Sequence, residues 1–252
     1  MESLPSRPPV STIIQARAQI AQPTTRPKDC VRNLSSDGMT NSQITEALID
    51  GKIGQTHLGV LELIMDQPLK RIDREDGGVM LAFNPYLIKK ALGLHSNKRL
   101  RELIHDLIKT TISIKWSRNG NDYATEGSIV SRRLEAKEHV EIDGIKEKYV
   151  RWAIELNPAY VYLLRQDLPL YYDPLLPISM QAGISQAVLR YLFGQKNQPN
   201  GGWLITRLLE KVGADLNNRH HKKTLLKDQA VFQKSGFTIE GDRIIKSATE
   251  QD

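Results

Sequence analysis

The sequence contains one cysteine, Cys30, and therefore cannot form a disulfide bond within the chain. It has no stretch near the roughly 18 consecutive apolar residues of a membrane-spanning helix, and its first residues lack the apolar core of a signal peptide. These absences argue against a disulfide-stapled scaffold and against a helical membrane protein. We expect a soluble, cytoplasmic protein of bacterial type, with no membrane partner.

Motifs of the enzymes that act on DNA are also absent. No Gly-x-x-x-x-Gly-Lys-Ser/Thr sequence occurs, which argues against an ATPase of the initiator or helicase type. His220 and His221 are adjacent rather than four residues apart, and no cysteine lies near them, so we predict no metal site. Tyr171 and Tyr172 lack the histidine cluster that accompanies the nucleophilic tyrosine of a relaxase, and we interpret both as packing residues. We therefore predict a binding protein without catalytic residues or a cofactor.

Positive charge exceeds negative charge along the chain. There are 35 lysines and arginines against 29 aspartates and glutamates, a formal net charge of +6, and the sequence pI is near 9.3. Such a balance favours nucleic acid as the partner, provided that the charge is concentrated on particular segments. The 252 residues suffice for one large domain or two small ones, and a hydrophobic content of 40% is typical of globular proteins.

The segment from Leu204 to Phe237 has the pattern of two helices joined by a turn. Apolar residues recur at helical spacing from Leu204 to Val212, and Gly213 offers a helix end. A second helix with a basic start and an apolar end is expected next, followed by a hairpin over 237–245. This order is that of a winged helix-turn-helix, although an ordinary helical pair with a solvated basic face is the alternative. The residues of this unit predicted to contact double-stranded DNA are Asn218, Arg219, His220, His221, Lys222, Lys223, Lys227 and Arg243.

An earlier segment repeats this pattern. Val79–Phe83 is predicted to be a strand, Asn84–Pro85 to open a helix, and Ser96 to cap a second helix with a basic start. Thr111–Trp116 alternates as a half-buried strand does, and the Asn-Gly pair after it predicts a hairpin, which we interpret as the first wing. The residues of this unit predicted to contact DNA are Asn97, Lys98, Arg99, Arg101, Lys115, Arg118, Asn119 and Asn121.

Charge is concentrated in these two helix-turn-helix segments. Ser96–Arg118 contains six basic and two acidic residues, and Trp203–Gly236 contains seven and three, so that each segment carries a net +4. Together they hold more excess positive charge than the whole chain, as expected of surfaces that face DNA phosphates. Glu62 and Asp66, which share one face of an earlier helix, are interpreted as a solvated edge rather than an acid pair.

Two pairs of segments align between the halves of the chain. Gly59–Gln67 matches Ala187–Gln195, and further on Tyr86–Leu92 matches Trp203–Leu209, with apolar residues at corresponding positions. The order of the matches is kept, and each is followed by a basic helix and a hairpin. An internal duplication of one unit is therefore predicted.

The predicted fold class is α+β, with two tandem winged helix-turn-helix domains. The first domain is placed at residues 40–165 and the second, which is the main DNA-reading domain, at residues 166–252. Residues 1–39 contain five of the twelve prolines and are predicted to form a mobile N-terminal arm. The capping pattern that begins at Thr40, with Gly51 as the stop, predicts a short helix between them.

Two tandem winged-helix domains in about 250 residues resemble plasmid replication initiator proteins of the iteron-binding type. The resemblance covers roughly residues 40–248 and includes segments such as Asn84-Pro85-Tyr86-Leu87 and Ser185–Leu192. It implies binding of direct repeats at a plasmid origin, melting of neighbouring DNA, plasmid copy control, and recruitment of host replication proteins such as the initiator and the helicase. It also implies that a homodimer can form through the first domain, and the strands expected over Gly127–Leu156 are either that surface or an enlarged wing.

Two other functions remain open on the sequence. A winged-helix transcription regulator would have no role in opening DNA, and most such regulators use one winged helix and a dimer. A nicking or strand-transfer enzyme would be trapped covalently on single-stranded DNA. Direct repeats of about 20 base pairs beside the gene would favour the initiator, because two recognition helices lie about one DNA turn apart.

Overall fold

The computed structural model describes residues 9–35, 39, 43–142, 145–166, 168–218 and 220–247 of the chain. Helices and strands alternate along it in a mixed α+β fold, as the sequence predicted. The helices are α1 (Ile13–Arg17), α2 (Gln55–Asp66), α3 (Pro85–Ala91), α4 (Asn97–Lys109), α5 (Pro158–Arg165), α6 (Leu175–Ser179), α7 (Gly183–Phe193), α8 (Ile205–Lys211), α9 (His221–Lys227) and α10 (Gln229–Lys234). The strands are β1 (Ser11–Thr12), β2 (Cys30–Asn33), β3 (Ile44–Gly51), β4 (Lys70–Asp73), β5 (Val79–Phe83), β6 (Thr111–Arg118), β7 (Asn121–Ser128), β8 (Val130–Ile142), β9 (Ile145–Leu156), β10 (Pro169–Leu170), β11 (Trp203–Leu204), β12 (Phe237–Glu240) and β13 (Arg243–Lys246). No helix in the described ranges is long and apolar enough to cross a lipid bilayer.

The two halves of the chain share one order of elements. In the first half α2 is followed by β4, β5, α3, α4 and the hairpins β6–β7 and β8–β9, and in the second α7 is followed by β11, α8, α9–α10 and the hairpin β12–β13. Apart from β4 and β6–β7, the order is shared. The strand before the helix pair, β5 or β11, pairs with the last strand of the final hairpin, and the orders β5-β9-β8 (with β4 beside β5) and β11-β13-β12 correspond. The aligned segments Gly59–Gln67 and Ala187–Gln195 lie at corresponding places along α2 and α7. Tyr86–Leu92 lies on α3, whereas Trp203–Leu209 spans β11 and the start of α8, so the second pair corresponds only in its later residues.

The first half carries a second sheet of four strands, in the order β2-β3-β6-β7. The helix predicted between Thr40 and Gly51 is wrong, because Ile44–Gly51 is the strand β3, and residues 40–42 lie outside the described range. β3 pairs with β2 on one side and β6 on the other, so its ladder bonds and its buried residues, such as Ile49, outweigh a local capping pattern.

The hairpin β6–β7 forms as predicted, but it belongs to this additional sheet. Its turn has φ angles of 54° at Asn119 and 77° at Gly120, the left-handed pair that a two-residue hairpin of this type requires. The element that corresponds to the second half's β12–β13 is instead β8–β9, which pairs with β5. The interpretation of the Arg118–Asn121 turn as the first wing is therefore not supported by the strand order.

Residues 9–35 form part of the folded body, in contrast to the mobile arm predicted over 1–39. Val10, Ile14 and Ile20 are fully buried. β1 pairs with β10, and α1 packs against α7 in the second half of the chain. The proline-rich composition predicted a mobile segment. Burial of these apolar side chains instead offsets the conformational entropy that is lost when the segment becomes ordered. Residues 1–8 and 36–38 lie outside the described part of the chain.

Two hydrophobic clusters form the core. One gathers buried residues from Ile14 to Leu163, and the other gathers residues from Met180 to Ile244. The predicted domain boundary at residues 165–166 lies between them. The helices α2 and α7, one from each cluster, pack against each other.

Candidate nucleic-acid interface

The basic helix α9 is positioned by the turn that precedes it. The Asp215 carboxylate accepts a hydrogen bond from the Asn217 N–H at 3.0 Å, and the Asn218 side-chain oxygen accepts one from the His220 N–H at 3.0 Å. Leu225 is fully buried and fixes the helix on α7. Because the apolar side of α9 is fixed, its remaining residues face outward. Those that are exposed are His220, Lys222, Lys223, Leu226 and Lys227.

Two of the predicted contacts in this region differ from the rest. Arg219 lies outside the described residues. The His221 ring is half-buried, and its Nε2 lies 2.8 Å from the Asp215 carbonyl oxygen, so the N–H form donates to that oxygen. His221 therefore holds the turn together, while His220 is exposed beside the lysines. The predicted single helix is also divided, because α9 ends at Lys227 and α10 begins at Gln229, with Asp228 between them.

The corresponding basic helix of the first half is α4. Its N-cap is Ser96, whose hydroxyl accepts a hydrogen bond from the Arg99 N–H at 3.3 Å. Its buried face is formed by Leu100, Leu103, Ile104 and Leu107. Lys98 and Arg99 are exposed, and Arg99 pairs with Glu102 at 3.0 Å, whereas Asn97 is half-buried. The exposed start of this helix therefore presents Lys98 together with an arginine held in a surface ion pair.

Arg101 is engaged by the protein itself. Its guanidinium donates to both carboxylate oxygens of Glu135 on β8, each at 2.9 Å, and this hydrogen bonding raises the pKa of Arg101. The guanidinium also lies 5.2 Å from the ring of the buried Trp152, over which Arg133 lies at 5.6 Å. Arg101 thus joins α4 to β8–β9, and the predicted role in DNA contact would require it to leave Glu135. No local signal in the sequence pairs residues 34 positions apart.

The remaining predicted contacts belong to hairpins. Lys115 on β6 pairs with Glu46 on β3 at 2.8 Å, with both side chains exposed. Arg118, Asn119 and Asn121 are exposed at the tip of β6–β7. Arg243 on β13 donates to the carbonyl oxygens of Gly201 and Gly202 at 3.1 and 3.2 Å. Arg243 therefore fixes the loop before β11, and its guanidinium is turned towards the protein.

The basic helices of the two halves are connected through the core. α4 packs on α2, α2 packs on α7, and α7 packs on α9. The predicted contacts that the structure describes thus lie on α4, on α9 and the turn before it, on β6–β7 and on β13.

No family model, curated protein or solved structure matches the chain.

The packing of α2 on α7 contains a buried ion pair. Arg190 donates to both oxygens of the Glu62 carboxylate at 2.7 Å, and both side chains are almost completely buried. The Tyr172 hydroxyl donates to the same carboxylate at 2.6 Å, and Arg190 donates to the Gln55 side-chain oxygen at 2.9 Å. The expectation that Glu62 and Asp66 form a solvated edge is wrong, because both are buried. The packing role expected of Tyr172 is confirmed, since it is buried in this network, whereas that expected of Tyr171 is wrong, because Tyr171 is exposed.

Burial and the Glu62 charge act in opposite directions on the pKa of Arg190 and in the same direction on that of Tyr172. Burial by itself lowers the pKa of Arg190, but the adjacent Glu62 carboxylate raises it, and the net change is upward. Burial, followed by the same carboxylate, raises the pKa of Tyr172 well above its ordinary value. The arginine therefore stays charged and the tyrosine stays a donor. The three side chains hold the two halves of the chain in one arrangement.

Proposed function

We propose that the protein binds double-stranded DNA through two winged helix-turn-helix units and initiates plasmid replication at direct repeats. The observation that carries this proposal is the duplicated order of elements. Apart from β4 and the hairpin β6–β7 in the first half, each half has a helix, a strand, a pair of helices and a hairpin in the same order, and the strand orders β5-β9-β8 and β11-β13-β12 correspond. In a winged helix the second helix of such a pair enters the major groove, which assigns reading to α4 and to α9.

Exposed charge supports the same assignment. Lys222, Lys223 and Lys227 are exposed on α9, and Lys98 is exposed at the start of α4. Lysines in such places neutralise phosphates or donate to guanine edges. Arg118 is also exposed, but it lies at the tip of the hairpin β6–β7 and is not part of the surface formed by α4 and α9.

The arrangement of the two units also favours direct repeats over a single short site. The Glu62–Arg190 pair joins α2 to α7, so α4 and α9 are carried by one packed body. Because the distance and orientation between the two reading helices are fixed, the two half-sites that they contact must also have a fixed spacing, of about one turn of DNA. When several copies of the chain bind along an origin, each contacts its own pair of half-sites in the same orientation, so the copies lie head to tail.

Binding to designed duplexes tests the proposal. The full chain should bind DNA with direct repeats of about 20 base pairs more tightly than the same half-sites inverted. The logarithm of affinity should fall with the logarithm of salt concentration by about 0.9 for each phosphate neutralised. Preference for the inverted site would favour the transcription regulator, and absence of duplex binding would reject both functions.

Substitutions on α9 locate the reading surface. Lys223→Ala, and equally Arg219→Ala, should cost about 1–3 kcal/mol of specific binding if the side chain meets a guanine edge. Lys196→Ala is the matched control, because Lys196 is also exposed in the second half but lies outside the helix pair. If the variants discriminate between specific and scrambled DNA as well as the wild type does, α9 is not the helix that reads the DNA sequence.

The initiator role extends beyond binding and has its own test. It includes melting of DNA beside the repeats, recruitment of host replication proteins, and a homodimer that forms through the first half. Permanganate reactivity of thymines on a supercoiled origin plasmid should rise when the protein and the host initiator are added. Tight binding to repeats without any new reactivity would favour a regulator over an initiator.

A further inference from the structure

The tip of the hairpin β6–β7 carries a group of stacked aromatic rings. Trp116 on β6 and Tyr123 on β7 are cross-strand partners, with ring centroids 5.5 Å apart and planes within 15° of parallel. The ring of Tyr162 on α5 contacts the same tryptophan at 4.4 Å, tilted by 34°. These three side chains, which we call the aromatic stack, lie where the additional sheet meets α5.

The aromatic stack extends past the hydrophobic core. Ile112 and Ile114 lie on the same face of β6 and are fully buried, whereas Trp116 is only partly buried and Arg118 is exposed. Tyr123 is 45% exposed, so much of its ring faces solvent. Trp116 and Tyr162 pack against the edge of the core, so the aromatic surface available to a planar ligand is chiefly the exposed part of the Tyr123 ring.

A cleft of about 230 Å³ opens beside the aromatic stack. Its residues include Trp116, Tyr162, Thr125, Arg165 and Asp76. Two arginines lie near the stack: Arg165 lines the cleft, and Arg118 is exposed two residues after Trp116 on β6. Burial raises the pKa of Tyr162, and the positive charge of Arg118 partly opposes that rise.

Two acidic residues on this side of the stack, Asp73 and Asp76, have partners within the protein. Asp73 lies 3.4 Å from the Arg165 guanidinium and 3.0 Å from Arg71, and it is shared by the two arginines. One Asp76 oxygen accepts a hydrogen bond from the Gly78 N–H at 2.9 Å. A ligand with flat rings and one negative charge per ring therefore matches this surface, with bases on the aromatic rings and phosphates on Arg118 and Arg165.

We propose that the aromatic stack, together with Arg118 and Arg165, binds single-stranded DNA. Bases stack on exposed aromatic side chains without regard to sequence, whereas the faces of bases inside a duplex are covered by their neighbours. The site is separate from α4 and α9. It rests on the proposed function only in that origin opening would supply the single strand.

Binding of a fluorescein-labelled oligonucleotide of about 12 nucleotides tests this site in the full-length protein. Tyr123→Ala should weaken binding about tenfold, which corresponds to about 1.4 kcal/mol, and Tyr123→Phe should retain it. Tyr171→Ala is the matched control, since Tyr171 is 47% exposed and belongs neither to the stack nor to the lining of the cleft. Arg118→Gln should lower the salt dependence, while Arg26→Gln, an exposed arginine elsewhere, should not.

Tryptophan fluorescence gives an independent measurement. Trp152 and Trp203 are 1% and 9% exposed, so the part-exposed Trp116 should account for quenching by an unlabelled oligonucleotide. Trp116→Phe should remove that quenching. The proposal is overturned if Tyr123→Ala binds as the wild type does, or if a Lys222→Ala/Lys223→Ala variant loses single-strand binding to the same extent.

The two proposals fail in different ways. Loss of duplex binding by the α9 variants with single-strand binding intact supports two sites. A wild-type protein that binds direct-repeat duplex but no single strand leaves the proposed function standing and rejects the aromatic-stack site. A protein that binds single strands but no duplex rejects the proposed function alone.

Discussion

The His57 imidazole, near the start of α2, is buried with both ring nitrogens engaged. Its Nδ1 accepts a hydrogen bond from the Gly54 N–H at 3.1 Å, so Nε2 carries the proton and faces the Asp106 carboxylate at 3.3 Å. Burial lowers the pKa of His57 below its ordinary value of 6.5, although Asp106 opposes the change. The neutral ring is therefore the form that joins the N-terminus of α2 to α4.

We predict that His57 makes the protein less stable in mild acid. Below a pH of about 6.5 the unfolded chain binds a proton at this residue that the folded chain does not. The free energy of unfolding should thus fall as the pH drops through this range towards the folded pKa, by at most about 1.4 kcal/mol per pH unit. Urea unfolding between pH 5 and 8 measures it.

His57→Asn provides the comparison, because the amide oxygen can still accept from Gly54 while the side chain cannot titrate. Its unfolding free energy should depend less on pH than that of the wild type. His105→Asn, at an exposed position on α4, should behave as the wild type. Equal pH dependence in the wild type and His57→Asn would show that another group causes it.

At the scale of elements, β3 depends on its last residue. Gly51 has a φ of +142°, a conformation that side chains rarely adopt, and it pairs with Cys30 on β2. A Cβ at Gly51 would lie 2.6 Å from the Thr110 Oγ1 and 2.8 Å from the Thr110 Cα. Thr110 is buried at the end of α4 and cannot move aside easily. Glycine at position 51 therefore allows β3 and α4 to approach each other.

We predict that Gly51→Ala destabilises the protein by about 1–3 kcal/mol, through backbone strain and overlap with Thr110. Gly93→Ala separates the two causes, because Gly93 also has a positive φ of +63° but has no atom within 4 Å of an added Cβ. Thermal and urea unfolding should rank Gly51→Ala well below Gly93→Ala in stability. Similar losses in the two variants would mean that β3 and α4 adjust without cost.

At the scale of the whole molecule, the duplicated halves meet at equivalent positions. The alignment of Gly59–Gln67 with Ala187–Gln195 places Glu62 opposite Arg190, and these are the two residues that form the buried ion pair. Identical residues there would place like charges in contact within the core. Opposite charges at this position therefore favour packing of one half against the other.

We predict that loss of one partner is worse than loss of both charges. Arg190→Met leaves the Glu62 carboxylate buried and unpaired, which should cost about 3–5 kcal/mol. Adding Glu62→Gln removes that charge and retains an acceptor for the Tyr172 hydroxyl. The double variant should thus be more stable than Arg190→Met alone in urea unfolding.

An exposed ion pair is the control for this comparison. Arg207→Met breaks the pair with Glu210 on α8, where both side chains are exposed, and should change stability by no more than about 1 kcal/mol. If the double variant were no more stable than Arg190→Met, uncompensated charge would not be the reason for the loss.

Local signals predicted many boundaries of elements correctly. Asn84 accepts a hydrogen bond from the backbone N–H group two residues later, and Ser96 accepts one from the group three residues later. The strand Val79–Phe83 and the hairpin after Phe237 also lie where the pattern placed them. Each of these features depends on residues within a few positions of one another.

The sequence by itself thus determined the α+β class, the helix caps, the Asn119–Gly120 turn and the alternation of basic and apolar residues. Only the tertiary structure decided that residues 44–51 form a strand, because pairing with two distant neighbours outweighs a local preference. It likewise decided that Arg101 meets Glu135 and that Glu62 meets Arg190, 34 and 128 positions away. A charge is visible in the sequence, but its partner is chosen by how the whole chain packs.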